Sequence, residues 1–222
     1  MGISREERAA RRLDRDGIGP VLHDRPVGAW PGAVGGFALW GEVLLTGIMV
    51  TIASLGIVTL PAALAAGSRH LTRYARSESS RWAEFWADVR AALPGGIGIG
   101  AVSAVLGTVL AVDISLARAG MLPAAAAIEA VSWLGLVATG TVLLAAAGQW
   151  DQHAGWRAAV MRGLSQLRGD IGGAAYLVVT VAFVGVCTWA LPALLVPALG
   201  CAAIAIVAIP ARPRRHHGED LA

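Results

Sequence analysis

VGGFALWGEVLLTGIMVTIASLGIVTLPAALAAGS, residues 34–68, carries one charged side chain, Glu42. A helix crossing the hydrocarbon core of a bilayer needs about 20 residues. The run is therefore too long for one span and too short for two. Gly56 and the sequence Thr59-Leu60-Pro61 break it. Thr59 suits a helix N-cap, and Pro61 is tolerated in a helix's first turn. The expectation is a first helix at 34–55 and a second at 59–77. The second extends through Arg69, His70, Arg73 and Tyr74, whose long side chains would snorkel to the interface.

Downstream the pattern changes and then returns. In 78–93, Trp82, Phe85, Trp86, Val89 and Leu93 share one helix face, with Arg81, Glu84 and Asp88 opposite. This spacing predicts an amphipathic helix on the membrane surface, its aromatic rings at headgroup depth. Pro94 and Gly95-Gly96 end it. A third span is expected at 96–116 and a fourth from Pro123 to Ala147. A polar loop at 148–171 follows, in which Trp156, Val160, Leu164 and Leu167 outline a second surface helix. Leu191-Pro192 separates a fifth span (172–190) from a sixth (192–210), in which Pro197 is placed to kink the helix.

Composition agrees. The chain has 222 residues, is 56% hydrophobic and only 15% charged, and has a mean hydropathy of +0.62. Soluble domains are about 25% charged, and roughly a quarter to a third of a soluble fold's unfolded surface stays wet. A secreted disulfide scaffold, a disordered chain and a typical cytosolic enzyme are excluded. The expected fold class is all-α: a polytopic membrane protein with about six transmembrane helices and cytoplasmic amphipathic interfacial helices. Its domains are a polar extension at 1–33 with a Ser4–Glu7 capping box, the membrane domain at 34–210, and a basic tail at 211–222. The extension has no apolar core of the length a cleaved signal peptide requires.

All 18 basic residues are Arg, and they flank the apolar runs. That is a membrane-topology pattern and not a nucleic-acid face. With the amino terminus inside, every Arg but Arg118 lies on the cytoplasmic side, which places both termini in the cytoplasm.

Three acids lie in or near apolar spans: Glu42, Asp113 and Glu129. Charge at membrane depth is costly and marks functional candidates. Glu42 could pair with an Arg near the inner face. Glu129 has no partner among its neighbours in sequence. The expectation is a cavity open to the outer face, with Glu129 on its wall and Asp113 near its rim. Cys187 and Cys201 lie inside apolar runs without a metal-ligand spacing, and no cofactor or metal is expected. No nucleophile, zinc or phosphate-loop motif is present. Gly96, Gly100, Ser103 and Gly107 form a small-residue face suited to close packing within the chain.

The stretch Leu55-Gly56-Ile57-Val58-Thr59-Leu60-Pro61-Ala62-Ala63-Leu64-Ala65-Ala66 resembles the T-x-P-A-x-x-A signature of YesL-like proteins, a bacterial membrane family of unassigned function. Arg69 to Arg76 and Glu84-Phe85-Trp86-Ala87-Asp88-Val89-Arg90 look like that family's basic helix and aromatic-acidic segment. The resemblance covers about residues 35–205. It implies the bacterial inner membrane and an accessory or regulatory role in carbohydrate uptake, with subunits of a sugar ABC transporter as partners. It carries over no catalytic residue. The alternatives are a small stand-alone transporter using the acids and, last, an intramembrane enzyme.

Overall fold

The structure is a computed structural model and describes residues 36–78 and 81–212. The extension with its Ser4–Glu7 capping box and the basic tail beyond Arg212 lie outside the described residues. Among the described residues seven α-helices follow one another: α1 (Gly36–Ala53), α2 (Leu60–Ala75), α3 (Trp82–Arg118), α4 (Ala125–Gly148), α5 (Gly155–Gly169), α6 (Ile171–Ala190) and α7 (Leu195–Ala211). A 3₁₀ turn at Pro192–Leu194 joins α6 to α7. Four helical segments among the described residues are long and apolar enough to cross a bilayer: α3, α4, α6, and the 3₁₀ turn with α7. The chain is an all-helical membrane protein.

The helix exteriors give the physical reason. On α1, Val43, Thr46 and Val50 form a buried stripe, while Trp40, Leu44, Ile48 and Ile52 form an equally apolar exposed one. On α3, Val102, Val105, Val109 and Val112 do the same, as do Val179, Phe183 and Val186 on α6. Water would penalise each such stripe by about 25 cal/mol per Å², whereas lipid does not.

At the centre stands α2. Ala62, Ala63, Leu64, Ala65 and Ala66 are all buried, so this part of the helix meets protein on every side. It packs against α1, α3, α4 and α7. Its small side chains let those helices come close. Here the structure departs from expectation. Arg69, His70 and Arg73 do not snorkel to an interface; they are drawn into contacts with α1 and α3. A helix enclosed by other helices has no need of lipid-compatible side chains, which is how α2 tolerates a charged carboxyl-terminal half.

Thr59 occupies the N-cap position of α2 but makes no cap bond with its side chain. Its hydroxyl instead donates to the Ala53 carbonyl at 2.6 Å, tying the end of α1 to the start of α2. Pro61 sits in the first turn of α2, as expected. Leu55 and Ile57 stand exposed at the tip of this turn. The turn rests on α3: a methyl group added at Gly100 would lie 1.9 Å from the Val58 carbonyl oxygen. The small face at Gly96 and Gly100 thus serves packing within the chain.

Within α3, Pro94 and Gly95 leave helical geometry, Gly95 at φ 80°. Glycine adopts that left-handed conformation without penalty. At this break the Trp156 indole N–H donates to the Ala92 carbonyl at 2.7 Å. Trp156 is buried there, as are Ala159 and Gly163 on the same helix. The centres of the apolar faces of 82–93 and α5, at Phe85, Val89, Trp156 and Ala159, are therefore covered by protein, where the sequence pattern placed them against headgroups. Pro197 falls in the first turn of α7, where its missing N–H interrupts no hydrogen bond; the helix runs on through it.

Candidate functional site

The densest group of ionisable side chains lies where α2 meets the first part of α3. Arg69 and Arg73 are four residues apart and so share one face of α2; Glu84 and Asp88 do the same on α3. The two faces meet. Asp88 Oδ1 lies 3.3 Å from Arg69 Nε, an ion pair whose Nε–H is not aimed along a hydrogen bond. Arg73 Nη2 donates to Asp88 Oδ2, and Arg73 Nε lies 3.9 Å from Glu84. The Asp88 side chain is only 9% exposed. Arg69 also stacks over the Trp150 ring at 5.5 Å, which ties the loop after α4 to the cluster. The sequence pattern had put Glu84 and Asp88 on the polar outer side; the structure turns both toward α2.

A second pair adjoins it. His70 is 1% exposed, and its Nε2 lies 2.7 Å from Glu42 Oε1 on α1. Glu42 is thus engaged by a histidine of α2 and not by an arginine. The other imidazole nitrogen, Nδ1, has no hydrogen-bond partner among the described residues, and neither do the buried Thr46 hydroxyl and Arg73 Nη1. Phe85, with no exposed surface, sets its ring edge-on to His70 at 6.3 Å and to Trp86 at 5.4 Å. Trp82 is half exposed at the start of the helix. Of the three aromatics expected at headgroup depth, Phe85 is a core residue, because α2 occupies the space the bilayer was expected to fill.

Glu129 and Asp113 behave differently. Arg118 Nε donates to Glu129 Oε1 at 2.7 Å across the 119–124 turn, and the same guanidinium lies over the Trp133 ring. Glu129 therefore has a partner, and the partnerless carboxylate that motivated an outward cavity is not found. Asp113 is half-buried on α3 without a hydrogen-bond or ion-pair partner among the described residues. The clefts along α3 from Gly95 to Val109 are lined mainly by apolar side chains of α3, α4 and α5, with Ser103, Thr139 and Arg157 among them, and by none of the three acids. The acids are not brought together.

Two pairings escaped the sequence pattern. Asp170 caps α6 by accepting from the Gly173 N–H at 2.9 Å, and it also pairs with Arg212 at the end of α7. In the loop before α5, Asp151 accepts from the backbone N–H groups of His153 and Ala154. Those bonds, His153 first, hold its carboxyl below the usual aspartate range.

The cluster ties α1 to α2, α2 to α3, and α2 to the loop before α5. Chemically it is a clasp of paired charges. Comparison with protein-family models, with curated proteins and with solved structures finds no match.

Proposed function

We propose that the chain is a multi-pass protein of a bacterial inner membrane, with both ends in the cytoplasm, acting as an accessory or regulatory component of ABC-type carbohydrate uptake. The observation that carries this reading over a stand-alone transporter is that Glu42 and Glu129 are each held by a neighbouring side chain. A carboxylate committed to a structural pair is a poor waypoint for a substrate. The YesL-like resemblance gives further support, and its two segments pack on each other through Asp88, Arg69 and Arg73. The test is isolation of the tagged chain in digitonin, together with its deletion from the parent strain. Permease or binding-protein subunits of a carbohydrate importer should co-purify in near-stoichiometric amount, and uptake of that importer's sugar should fall. A chain that purifies alone, from a strain whose deletion leaves carbohydrate uptake unchanged, overturns the reading.

For the topology, six crossings and four crossings plus a re-entrant hairpin both keep every arginine but Arg118 on one side. The contact between the Val58 carbonyl and Gly100 favours the hairpin. From Gly100 to Arg118, α3 rises about 27 Å, nearly the whole hydrocarbon core. The α1–α2 turn then lies far short of the outer face. The N–H groups of Ser54, Leu55, Ile57, Val58 and Leu60 are bonded locally, as lipid depth favours. A single cysteine introduced at Ile57 or at Ala119, with Cys187 and Cys201 replaced by Ser, separates the two arrangements. A membrane-impermeant maleimide added outside should label position 119 and not position 57. Equal labelling of both restores six crossings.

A further inference from the structure

Beside the kink of α3 opens a groove that the proposed function does not use. Its lower part, about 460 Å³, is bounded by Gly95, Gly98 and Ile99 of α3 and by Trp156, Arg157 and Val160 of α5. Its upper part, about 320 Å³, continues along α3 to Leu106, with α4 as the other wall. Ile99 and Val160 line both parts, so the groove is continuous. Gly98 forms an open floor, since a methyl group there would meet nothing within 4 Å. The upper lining is apolar except for Ser103 and Thr139, and the Thr139 hydroxyl is spent on the Gly135 carbonyl.

Length and charge identify an occupant. From Gly95 to Leu106 the helix rises about 16 Å, which matches one leaflet, half of a core about 30 Å thick. At the lower end stands α5, which carries Arg157, Arg162 and Arg168 and no acid. All three arginines are exposed, and none forms an ion pair among the described residues. Asp151, the acid nearest to Arg157 in sequence, is occupied by backbone amides.

We propose that this groove binds one anionic glycerophospholipid of the inner leaflet, with an acyl chain lying along α3 between α4 and α5 and the phosphate on Arg157. The inference rests on the proposed orientation, which puts α5 on the inner side of the membrane, and is independent of the carbohydrate reading. An unpaired guanidinium at the mouth selects an anionic headgroup, and the open floor at Gly98 admits the chain.

The full chain, reconstituted in nanodiscs of equal phosphatidylglycerol and phosphatidylcholine and released for native mass spectrometry, tests it. The parent should retain one phosphatidylglycerol in preference to phosphatidylcholine. Arg157→Gln should reduce that preference about fivefold, the effect of one arginine near an anionic surface. Gly98→Leu should abolish retention by filling the floor. Both positions are free of contacts that hold the fold, so both variants should keep the parent's melting temperature. The proposal falls if the parent shows no preference for phosphatidylglycerol, or if either variant retains it as the parent does. It falls equally if the chain is released as a dimer that Gly98→Leu dissociates, since a second copy would then cover the groove.

Discussion

Replacing Asp88 with Ala is expected to destabilise the protein by about 3 kcal/mol, the lower end of the range for removing one partner of a buried ion pair. The loss leaves two guanidinium groups without their shared carboxylate. They are not equally affected. Arg69 keeps a third of its side chain exposed and still stacks over Trp150, so it can rehydrate. Arg73 is about one-fifth exposed, and its Nη1 is already buried without a partner among the described residues. It retains only Glu84 at 3.9 Å, and therefore sets most of the cost. Thermal unfolding in a mild detergent, followed by tryptophan fluorescence, measures the change. Exchanging the whole group for apolar side chains of similar size, with Arg69→Met, Arg73→Met and Asp88→Leu together, should recover most of the loss, because desolvation of all three charges is then avoided. An Asp88→Ala protein that unfolds within the error of the parent would mean that the cluster is hydrated and does not clasp α2 to α3.

The breaks in the chain were legible, and the neighbours of each face were not. Gly56 and Pro61, Pro94 and Gly95, and Leu191-Pro192 all interrupt helices near where their chemistry says they must. The faces of 82–93 and α5 were also found from spacing alone. Spacing names a face, however, and not what lies against it: Phe85 and Trp156 have the same period whether lipid or protein covers them. The missing information was the position of α2. Its charged end reads as one that snorkels to an interface, whereas its neighbours enclose the helix. Glu42 was paired in expectation with an arginine for the same reason. Only a packed α2 brings His70, far away in sequence, to Glu42. The Arg118–Glu129 pair was within reach of sequence reasoning, since a hairpin folded at 119–124 returns Glu129 toward the level of Arg118. The Asp170–Arg212 pair was not, because it depends on how α6 and α7 pack.

Gly100→Ala should destabilise the protein although alanine is the better helix former by about 1 kcal/mol. The added methyl would sit 1.9 Å from the Val58 carbonyl oxygen and 2.6 Å from its carbon. Both are backbone atoms, so no flexible side chain can swing away. Nor can the turn move easily by itself. Thr59 is bonded to Ala53, Ile57 N–H to Ser54, and Leu60 N–H to Ile57. The α1–α2 hairpin must therefore shift as a unit off α3, and overpacking of this kind costs typically 1–3 kcal/mol and at times more. Gly100→Leu should exceed that range and deplete the folded protein from the membrane fraction. Gly185→Ala on α6 is the matched control, since nothing lies within 4 Å of its added methyl; there the helix-propensity gain should appear as a neutral or raised melting temperature. Opposite signs at the two positions are the expected result. If Gly100→Ala proves as stable as Gly185→Ala, the turn does not rest on α3. The re-entrant placement of α1 and α2 would then lose its support, and the six-crossing arrangement would be the better account of the arginine distribution.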